Sequence, residues 1–178
     1  MIKLAIDLGS SVTKIFKIGS GIVLAEASCV AVTTGTDTVK AIGEEAKRLI
    51  GKTAEFTTIV FPVFEADIVN GNMAAVMLSY FLKKIGIGRA QARRTEAVFG
   101  VPCGAQDALL DKYYRLAEAC GIGSVSFVEV PFLAAFGQNL TLSESTPAFV
   151  VDIGGGTTNI AAISMDGIIA GVGLDIGG

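Results

Sequence analysis

Two short segments of the chain share one pattern of chemically capable residues. Each has an aspartate at the end of an apolar run, Asp7 in the first segment and Asp152 in the second. A turn rich in glycine and hydroxyl side chains follows, and then a second apolar run. Glycine lets backbone N–H groups converge on phosphate oxygens, and hydroxyl groups add further donors. We therefore predict two phosphate-binding hairpins that face each other across a nucleotide, with these binding residues: Asp7, Gly9, Ser10, Ser11, Lys14, Asp152, Gly154, Gly155, Gly156, Thr157 and Thr158.

The two aspartates need a role other than direct phosphate contact. A carboxylate beside a triphosphate repels it unless a divalent cation lies between them. Mg²⁺ prefers oxygen ligands and keeps several waters, so Asp7 and Asp152 are predicted to hold Mg²⁺, directly or through water. Lys14 lies seven residues beyond Asp7 and would return along the second strand to meet phosphate charge. Each pattern alone is also typical of an ordinary hairpin turn, and the duplication is what favours binding.

Composition excludes several classes of protein. The chain has 178 residues and no histidine, which removes histidine general bases, Ser-His-Asp triads and most zinc sites. A net charge of −3 gives no reason to expect nucleic acid as a partner. No apolar run approaches the length of about 18 residues that a membrane-spanning helix needs. An acidic residue at position 7 interrupts the N-terminus too soon for a secretory signal, which predicts a cytoplasmic protein. The three cysteines lack C-x-x-C spacing and are expected to be reduced.

The elements that must position the aspartates follow from hydrophobic periodicity. Strands are predicted at residues 4–7, 12–18 and 22–27, as a meander, and again at 57–64, 96–101 and 124–129. Helices are predicted at 41–50, 73–85, 107–120 and 131–137, with Gly51, Gly86 and Gly121 as C-terminal stops. A polar connection at 139–145 precedes a second meander with strands at 148–152, 159–164 and 168–173. This order predicts an α/β fold with a mixed sheet and flanking helices.

With these motifs and elements, the chain resembles the N-terminal half of a bacterial actin homologue of the MreB group, within the actin, sugar-kinase and heat-shock ATPase superfamily. The two aspartate-glycine turns carry the superfamily resemblance, and the segments at residues 43–47, 100–102 and 129–137 add to it. The resemblance implies an actin-like ATPase lobe, related to ribonuclease H, with a mixed five-stranded sheet and a small inserted subdomain at about 33–69. It implies ATP and Mg²⁺ as ligands and self-association into a cell-shape filament.

The resemblance also implies two lobes. Residues 1–146 are expected to form the first lobe, and residues 147–178 the opening meander of a second lobe that is cut short, because family members continue for about as long again. Apolar residues of that meander are expected to stay partly exposed or to be covered by a second copy of the chain. The residues expected to do so are Val150, Ile160, Ile163 and Ile168.

One departure from the family pattern affects catalysis. In the resembled proteins a glutamate directly before a proline positions the attacking water, and Val130 stands there in this chain. Glu129 is one step earlier, and neighbouring strand residues point to opposite faces, so Glu129 could replace that glutamate only through a local bulge. Glu129 remains a candidate catalytic residue beside the alternative of an ordinary edge charge. The sequence leaves ATP hydrolysis open.

Two alternatives to a filament protein remain. One is a non-polymerising adaptor of the FtsA, PilM or chaperone type that binds ATP to present a surface to partners. Ser10 and Lys14 resemble actin and the FtsA and PilM relatives more than typical MreB, which weakens the assignment to MreB and strengthens the expected phosphate contact. A metabolic kinase is disfavoured because no aspartate base follows the first-lobe strands. The resemblance also implies contact with the inner face of the membrane near a basic cluster. A solvated loop is favoured there, because Ile87 is its one large apolar residue; the cluster is Lys83, Lys84, Arg89, Arg93 and Arg94.

Overall fold

The first three strands form an antiparallel meander that becomes one side of a five-stranded mixed sheet. The computed structural model describes residues 1–52, 56–65, 67–138, 140, 146–165 and 167–178. The sheet has the order β10-β9-β1-β2-β3, with β9 and β10 parallel to β1. Its strands are β1 (Ile2–Leu8), β2 (Val12–Lys17), β3 (Gly21–Ala27), β9 (Thr95–Val101) and β10 (Ser124–Glu129). The predicted α/β class and mixed five-stranded sheet are confirmed.

Helices cover one face of this sheet because each has an apolar stripe. α2 (Gly71–Lys84) begins after Asn70, whose side chain accepts a hydrogen bond from the Met73 N–H at 3.0 Å. α4 (Asp107–Ala119) ends before Gly121, which has a φ of 74° as a C-terminal stop requires. The short helix α3 (Arg89–Ala92) connects α2 to β9. Side chains of the sheet and both long helices share one core: Leu4, Ile6, Ile15, Met77, Leu78, Phe81, Phe99, Tyr113 and Leu116.

Between β3 and α2 the chain forms two small sheets rather than one helix and one strand. The first has the order β5-β4-β6 and the second pairs β7 with β8. The elements are β4 (Val30–Thr33), β5 (Val39–Ile42), α1 (Glu44–Lys47), β6 (Thr57–Val60), β7 (Val63–Phe64) and β8 (Asp67–Ile68).

One prediction is wrong in this region. The helix predicted at 41–50 is only four residues long, because Ala41 and Ile42 pair with β4 and Gly43 leaves helical geometry with a φ of 70°. The strand predicted at 57–64, which Pro62 is expected to end or confine to an edge, is the edge strand β6 and ends at Val60, since Pro62 has no N–H for a sheet ladder.

The last part of the chain forms a second, three-stranded antiparallel sheet. Its strands are β11 (Ala148–Ile153), β12 (Thr158–Ser164) and β13 (Gly167–Leu174), in the order β11-β12-β13. α5 (Val130–Gly137) follows β10 directly and has Pro131 in its first turn. The polar connection predicted at 139–145 lies outside the described residues, apart from Leu140.

The apolar side chains expected to lack cover on this second sheet were partly misassigned. Ile163 is fully buried, because it packs with Ala135 of α5. Val150 and Ile168 are partly buried against the same cluster, and Ile160 is also partly buried. The exposed apolar residues of the sheet include Phe149, Val151, Ile153 and Val172, which alternate with the buried set.

Candidate functional site

The two aspartate-glycine hairpins lie directly against each other. A Cβ atom added to Gly156 would lie 2.7 Å from Ser10 Oγ, and one added to Gly155 would collide with Ser11. Both glycines therefore let the two backbones approach closely, and any side chain there would separate the hairpins. The structure thus brings together the two predicted loops, which are about 145 residues apart in sequence.

Two buried hydroxyl groups stabilise the first hairpin. Thr13 Oγ1 and Ser28 Oγ lie 2.8 Å apart, and both side chains are buried. The Ser28 N–H also donates to the Ser11 carbonyl oxygen at 3.0 Å. These bonds fix the backbone of the turn and leave the hydroxyl groups of Ser10 and Ser11 pointing at the second hairpin.

The second hairpin uses its own polar groups to keep its shape. The Gly154 N–H donates to the Thr157 carbonyl at 2.8 Å, and the Gly178 N–H donates to the Gly154 carbonyl at 3.0 Å. The Thr158 hydroxyl donates to the Ile176 carbonyl at 2.7 Å, so its donor is already used within the chain. Thr157 lines a separate cavity of about 440 Å³ that also contains Lys112.

Beside the hairpin contact is the main cavity, of about 810 Å³. It lies between the first sheet, α5 and β11. Asp7, Lys14 and Asp152 form its polar end. The remaining wall is largely apolar and includes Phe16, Ile22, Leu133, Leu140 and Phe149. Of the predicted binding residues only these three polar ones line this cavity, and the glycines and serines form the adjoining contact.

The carboxyl group of Asp7 lies at this polar end between a lysine and a second carboxylate. Its Oδ2 lies 3.6 Å from Lys14 Nζ, its partner across the β1–β2 ladder. Desolvation by the surrounding protein raises the pKa of Asp7 above its ordinary value. The Lys14 ammonium opposes that shift, and the nearby Asp152 carboxylate adds to it. The site thus holds two carboxylates close enough to repel each other, with one lysine as partial compensation.

This donor set fits a divalent cation of the oxygen-preferring kind. Two carboxylates that raise each other's energy gain from a cation between them, and Mg²⁺ is commonly bound by one or two carboxylates together with water and phosphate oxygens. The described residues contain no group of three or more His, Cys, Asp or Glu side chains arranged for a metal. Asp7 and Asp152 would therefore supply two ligands, and the remaining ligands would come from water or a bound anion.

Glu129 and Val130 point to different surroundings, because the strand β10 ends at Glu129 and the helix α5 begins at Val130. Val130 lines the main cavity, and its Cγ2 lies 3.4 Å from the position of a Cβ added to Gly100. Glu129 lines neither this cavity nor the one that contains Thr157. Its Oε1 accepts a hydrogen bond from the Gly104 N–H at 2.6 Å. The candidate catalytic carboxylate is therefore bonded to backbone away from the cavity.

Two sets of residues at this site were not predicted from the sequence. Asn159 is buried and its Oδ1 accepts a hydrogen bond from the Cys103 N–H at 3.0 Å, a contact between distant segments that no local pattern reveals. The apolar lining was within reach of the sequence. Phe16 and Val150 lie two residues from Lys14 and Asp152 on the same strands, so they share a face with them.

Family comparison covers the whole chain. The model of the MreB/Mbl protein family matches residues 1–178. The cell shape-determining protein MreB of Escherichia coli K12 is 34% identical over 179 residues, an alignment that covers 98% of this chain and 52% of that protein. The cell shape-determining protein Mbl of Bacillus subtilis is 31% identical over 175 residues, with 98% and 52% covered. This chain therefore spans about half the length of these relatives.

Solved structures share the fold. MreB5 of Spiroplasma citri bound to ADP superposes with a TM-score of 0.89 at 23% identity, over 99% of this chain and 52% of that one. The same protein bound to AMPPNP gives a TM-score of 0.90. A MamK double helical filament gives 0.79 at 22% identity, over 99% of this chain and 55% of that one. These likenesses identify an actin-like fold.

Proposed function

The chain belongs to the MreB/Mbl family, and from this premise we propose that it forms the phosphate-holding part of an actin-like, nucleotide-binding cytoskeletal protein. The proposed ligand is ATP with Mg²⁺, held at the junction of the two hairpins. The proposed division is a first lobe at 1–146, with an inserted subdomain at about 33–69, and the opening of a second lobe at 147–178. We propose that it acts in the cytoplasm as a self-associating filament protein.

The observation that carries this proposal is the convergence of Asp7, Lys14 and Asp152 at one end of the main cavity, beside the hairpin contact. Asp7 and Asp152 come from different sheets and are distant in sequence. Desolvation, with a smaller contribution from the Asp152 carboxylate, raises the pKa of Asp7 and so disfavours its ionised form, and a bound cation would offset that cost. Carboxyl groups with shifted pKa values that line a cavity are typical of functional sites.

Each residue has a distinct part in the proposed binding. Lys14 would offer its ammonium group to phosphate oxygens, while Asp7 and Asp152 would hold Mg²⁺ directly or through its water ligands. Bound Mg²⁺ would neutralise charge on the phosphate chain. Backbone N–H groups of the hairpins contribute donors that glycine leaves accessible. The apolar part of the wall excludes water from one side, which strengthens these charge interactions.

Hydrolysis is the weaker part of the family activity in this chain. Val130 occupies the cavity wall where the resembled proteins carry a water-positioning glutamate, and a valine side chain cannot orient water. Glu129 is engaged with the Gly104 N–H. We therefore propose that this protein binds ATP and hydrolyses it slowly.

Titration with Mg·ADP and with inorganic triphosphate tests the binding proposal. Lys14→Ala should weaken binding of both ligands by roughly tenfold, the loss expected for a hydrogen bond to a charged group. Lys17→Ala is the matched control, because Lys17 lies on the same strand and does not line the cavity. Equal affinities for the two variants, or no binding by the unaltered chain, would contradict the proposal.

Sedimentation of the complete gene product separates the filament protein from the adaptor alternative. Nucleotide in a filament protein shifts the population toward a conformation that assembles, so ATP should increase the pelleted fraction. Nucleotide binding without any ATP-dependent pelleting would instead support a non-polymerising adaptor.

A further inference from the structure

A short turn at residues 102–104 follows β9, and two side chains, one from each sheet, accept hydrogen bonds from its backbone. Glu129, at the end of β10, accepts a hydrogen bond from the Gly104 N–H at 2.6 Å. Asn159, on β12, accepts one from the neighbouring Cys103 N–H at 3.0 Å. The two acceptors belong to different sheets. Two consecutive backbone donors are therefore satisfied by two different parts of the fold.

The residues around the turn are buried and closely packed. Cys103 is 9% exposed and Asn159 is 2% exposed. A Cβ added to Gly171 of β13 would collide with the Cys103 sulfur, and one added to Gly173 would lie 3.0 Å from the Cys103 carbonyl oxygen. Burial raises the pKa of the Cys103 thiol, and the adjacent Glu129 carboxylate raises it further. The thiol is therefore neutral and unreactive while the turn is in place.

The register of the two sheets connects this turn to both aspartates. Asn159 is the direct cross-strand partner of Asp152 in the β11–β12 ladder. On the other side, β9 runs into the turn, pairs with β1 and places Phe99 opposite Ile6, one residue before Asp7. Directly paired residues lie about 5 Å apart, so a shift of the turn moves both aspartates relative to each other.

We propose that Glu129 is a positioning residue which, together with Asn159, holds the 102–104 turn as a joint between the sheets and so sets the spacing of Asp7 and Asp152. Its link to ligand binding rests on the proposed nucleotide site. The joint itself rests only on the geometry of the turn. Because Glu129 acts through an acceptor oxygen and not through proton transfer, glutamine should replace it and alanine should not.

The labelling rate of Cys103 tests the joint without any nucleotide. Peptide mass spectrometry after timed exposure to a thiol reagent distinguishes Cys103 from Cys29 and Cys120, which are also buried and free. Glu129→Ala and Asn159→Ala should each speed Cys103 labelling by on the order of tenfold, the ratio expected for loss of one buried hydrogen bond. Glu129→Gln keeps the acceptor oxygen but removes the charge that raises the pKa of the Cys103 thiol, so its labelling should rise by the gain in thiolate alone and stay slower than in Glu129→Ala. Glu118→Ala, an exposed carboxylate on α4, is the matched control.

The Mg²⁺ dependence of ADP binding tests the effect on the aspartates. The readout is the ratio of the ADP dissociation constants measured in EDTA and in Mg²⁺. Loss of the correct Asp7–Asp152 spacing should lower this ratio severalfold in Glu129→Ala and in Asn159→Ala, and Glu129→Gln should keep it. General destabilisation would weaken binding in both buffers alike and leave the ratio unchanged.

The outcomes separate the joint from the proposed function. Slow Cys103 labelling in both alanine variants overturns the joint, and so does labelling of Glu129→Gln as fast as that of Glu129→Ala. An unchanged Mg²⁺ ratio beside fast labelling overturns the effect on the aspartates. If the unaltered chain binds no Mg·ADP, the proposed function fails while labelling still decides the joint. If Glu129→Ala does not fold, Asn159→Ala and Glu129→Gln carry the same comparison.

Discussion

At the scale of single residues, Asp7 combines a functional position with a cost in stability. Its raised pKa means that the folded protein disfavours the ionised carboxyl group. Below the unfolded pKa of 3.8, the Asp7 carboxyl group is protonated in both the folded and the unfolded state. As the pH rises from there through the higher folded pKa, the folded state loses stability. Asp7→Asn should therefore raise the free energy of unfolding at pH 7 and lose that advantage near pH 3.

Denaturant unfolding at both pH values measures this effect, with Asp111→Asn on the exposed side of α4 as control. The raised pKa of Asp7 already includes the opposing attraction of its half-exposed partner Lys14, so the net effect of the substitution should be a gain in stability. The same variant should weaken Mg·ADP binding, so stability and binding change in opposite directions. A variant less stable than the parent at pH 7 would show that the ion pair outweighs the burial of Asp7.

Val130 allows a second prediction at this scale. Its side chain faces the main cavity, so Val130→Glu should place a carboxylate where a phosphate-bound water can be oriented. We expect phosphate release by the complete gene product to rise by roughly a hundredfold, the lower end of the range for general base catalysis. Val128→Glu, two residues earlier on β10 and outside the lining of this cavity, is the control. An unchanged rate would show that the missing glutamate does not limit turnover.

At the scale of elements, Glu26 ties β3 to two helices. Its Oε2 accepts a hydrogen bond from the Glu44 N–H at 2.8 Å, at the start of α1, and its Oε1 accepts one from Lys84 at the end of α2. Burial alone would raise the pKa of Glu26, but these bonds hold it below its usual range. The ionised group therefore adds stability above pH 4.5 that is lost as the pH falls through the folded pKa.

Glu26→Gln should thus destabilise the chain at pH 7 by about 1 kcal/mol and have a smaller effect near pH 3. Thermal unfolding at the two pH values measures it, and Glu118→Gln on α4 serves as the exposed control. A pH-independent cost would assign the role of Glu26 to shape and hydrogen bonding and not to charge.

The elements also show how far sequence patterns reach. α4 was predictable because its apolar stripe and Gly121 are both local signals. The residues around Ala41 and Glu44 favour a helix by propensity, but pairing with β4 overrides that preference for Ala41 and Ile42. The sequence prediction placed Glu129 and Val130 on one strand, but Val130 begins α5, so strand alternation does not explain their different surroundings. The Glu129–Gly104 and Asn159–Cys103 bonds did not, since they join segments that only the folded topology brings together.

At the scale of the whole molecule, the second sheet has one apolar face that α5 covers and one that is exposed to solvent. One face packs on α5 through Ile163 and Ala161. The other presents Phe149, Val151 and Ile153 with exposures of 71%, 50% and 67%, and the first two of these also line the main cavity. A face of this kind gains free energy from association at about 25 cal/mol per Å² of apolar surface removed from water. The chain should therefore self-associate through this face at high concentration.

Replacing all three exposed residues with threonine tests this expectation, because threonine keeps the preference for strand while reducing apolar surface. We expect the triple variant to weaken association at least tenfold by analytical ultracentrifugation, with little change in the melting temperature, since the replaced side chains contribute little to the core. Ile163→Thr on the covered face should instead cost about 2–4 kcal/mol of stability, because it leaves a cavity and buries a hydroxyl group. Association that persists in the triple variant would assign self-contact to another surface, such as the exposed Ile18 and Ile22 at the edge of the first sheet.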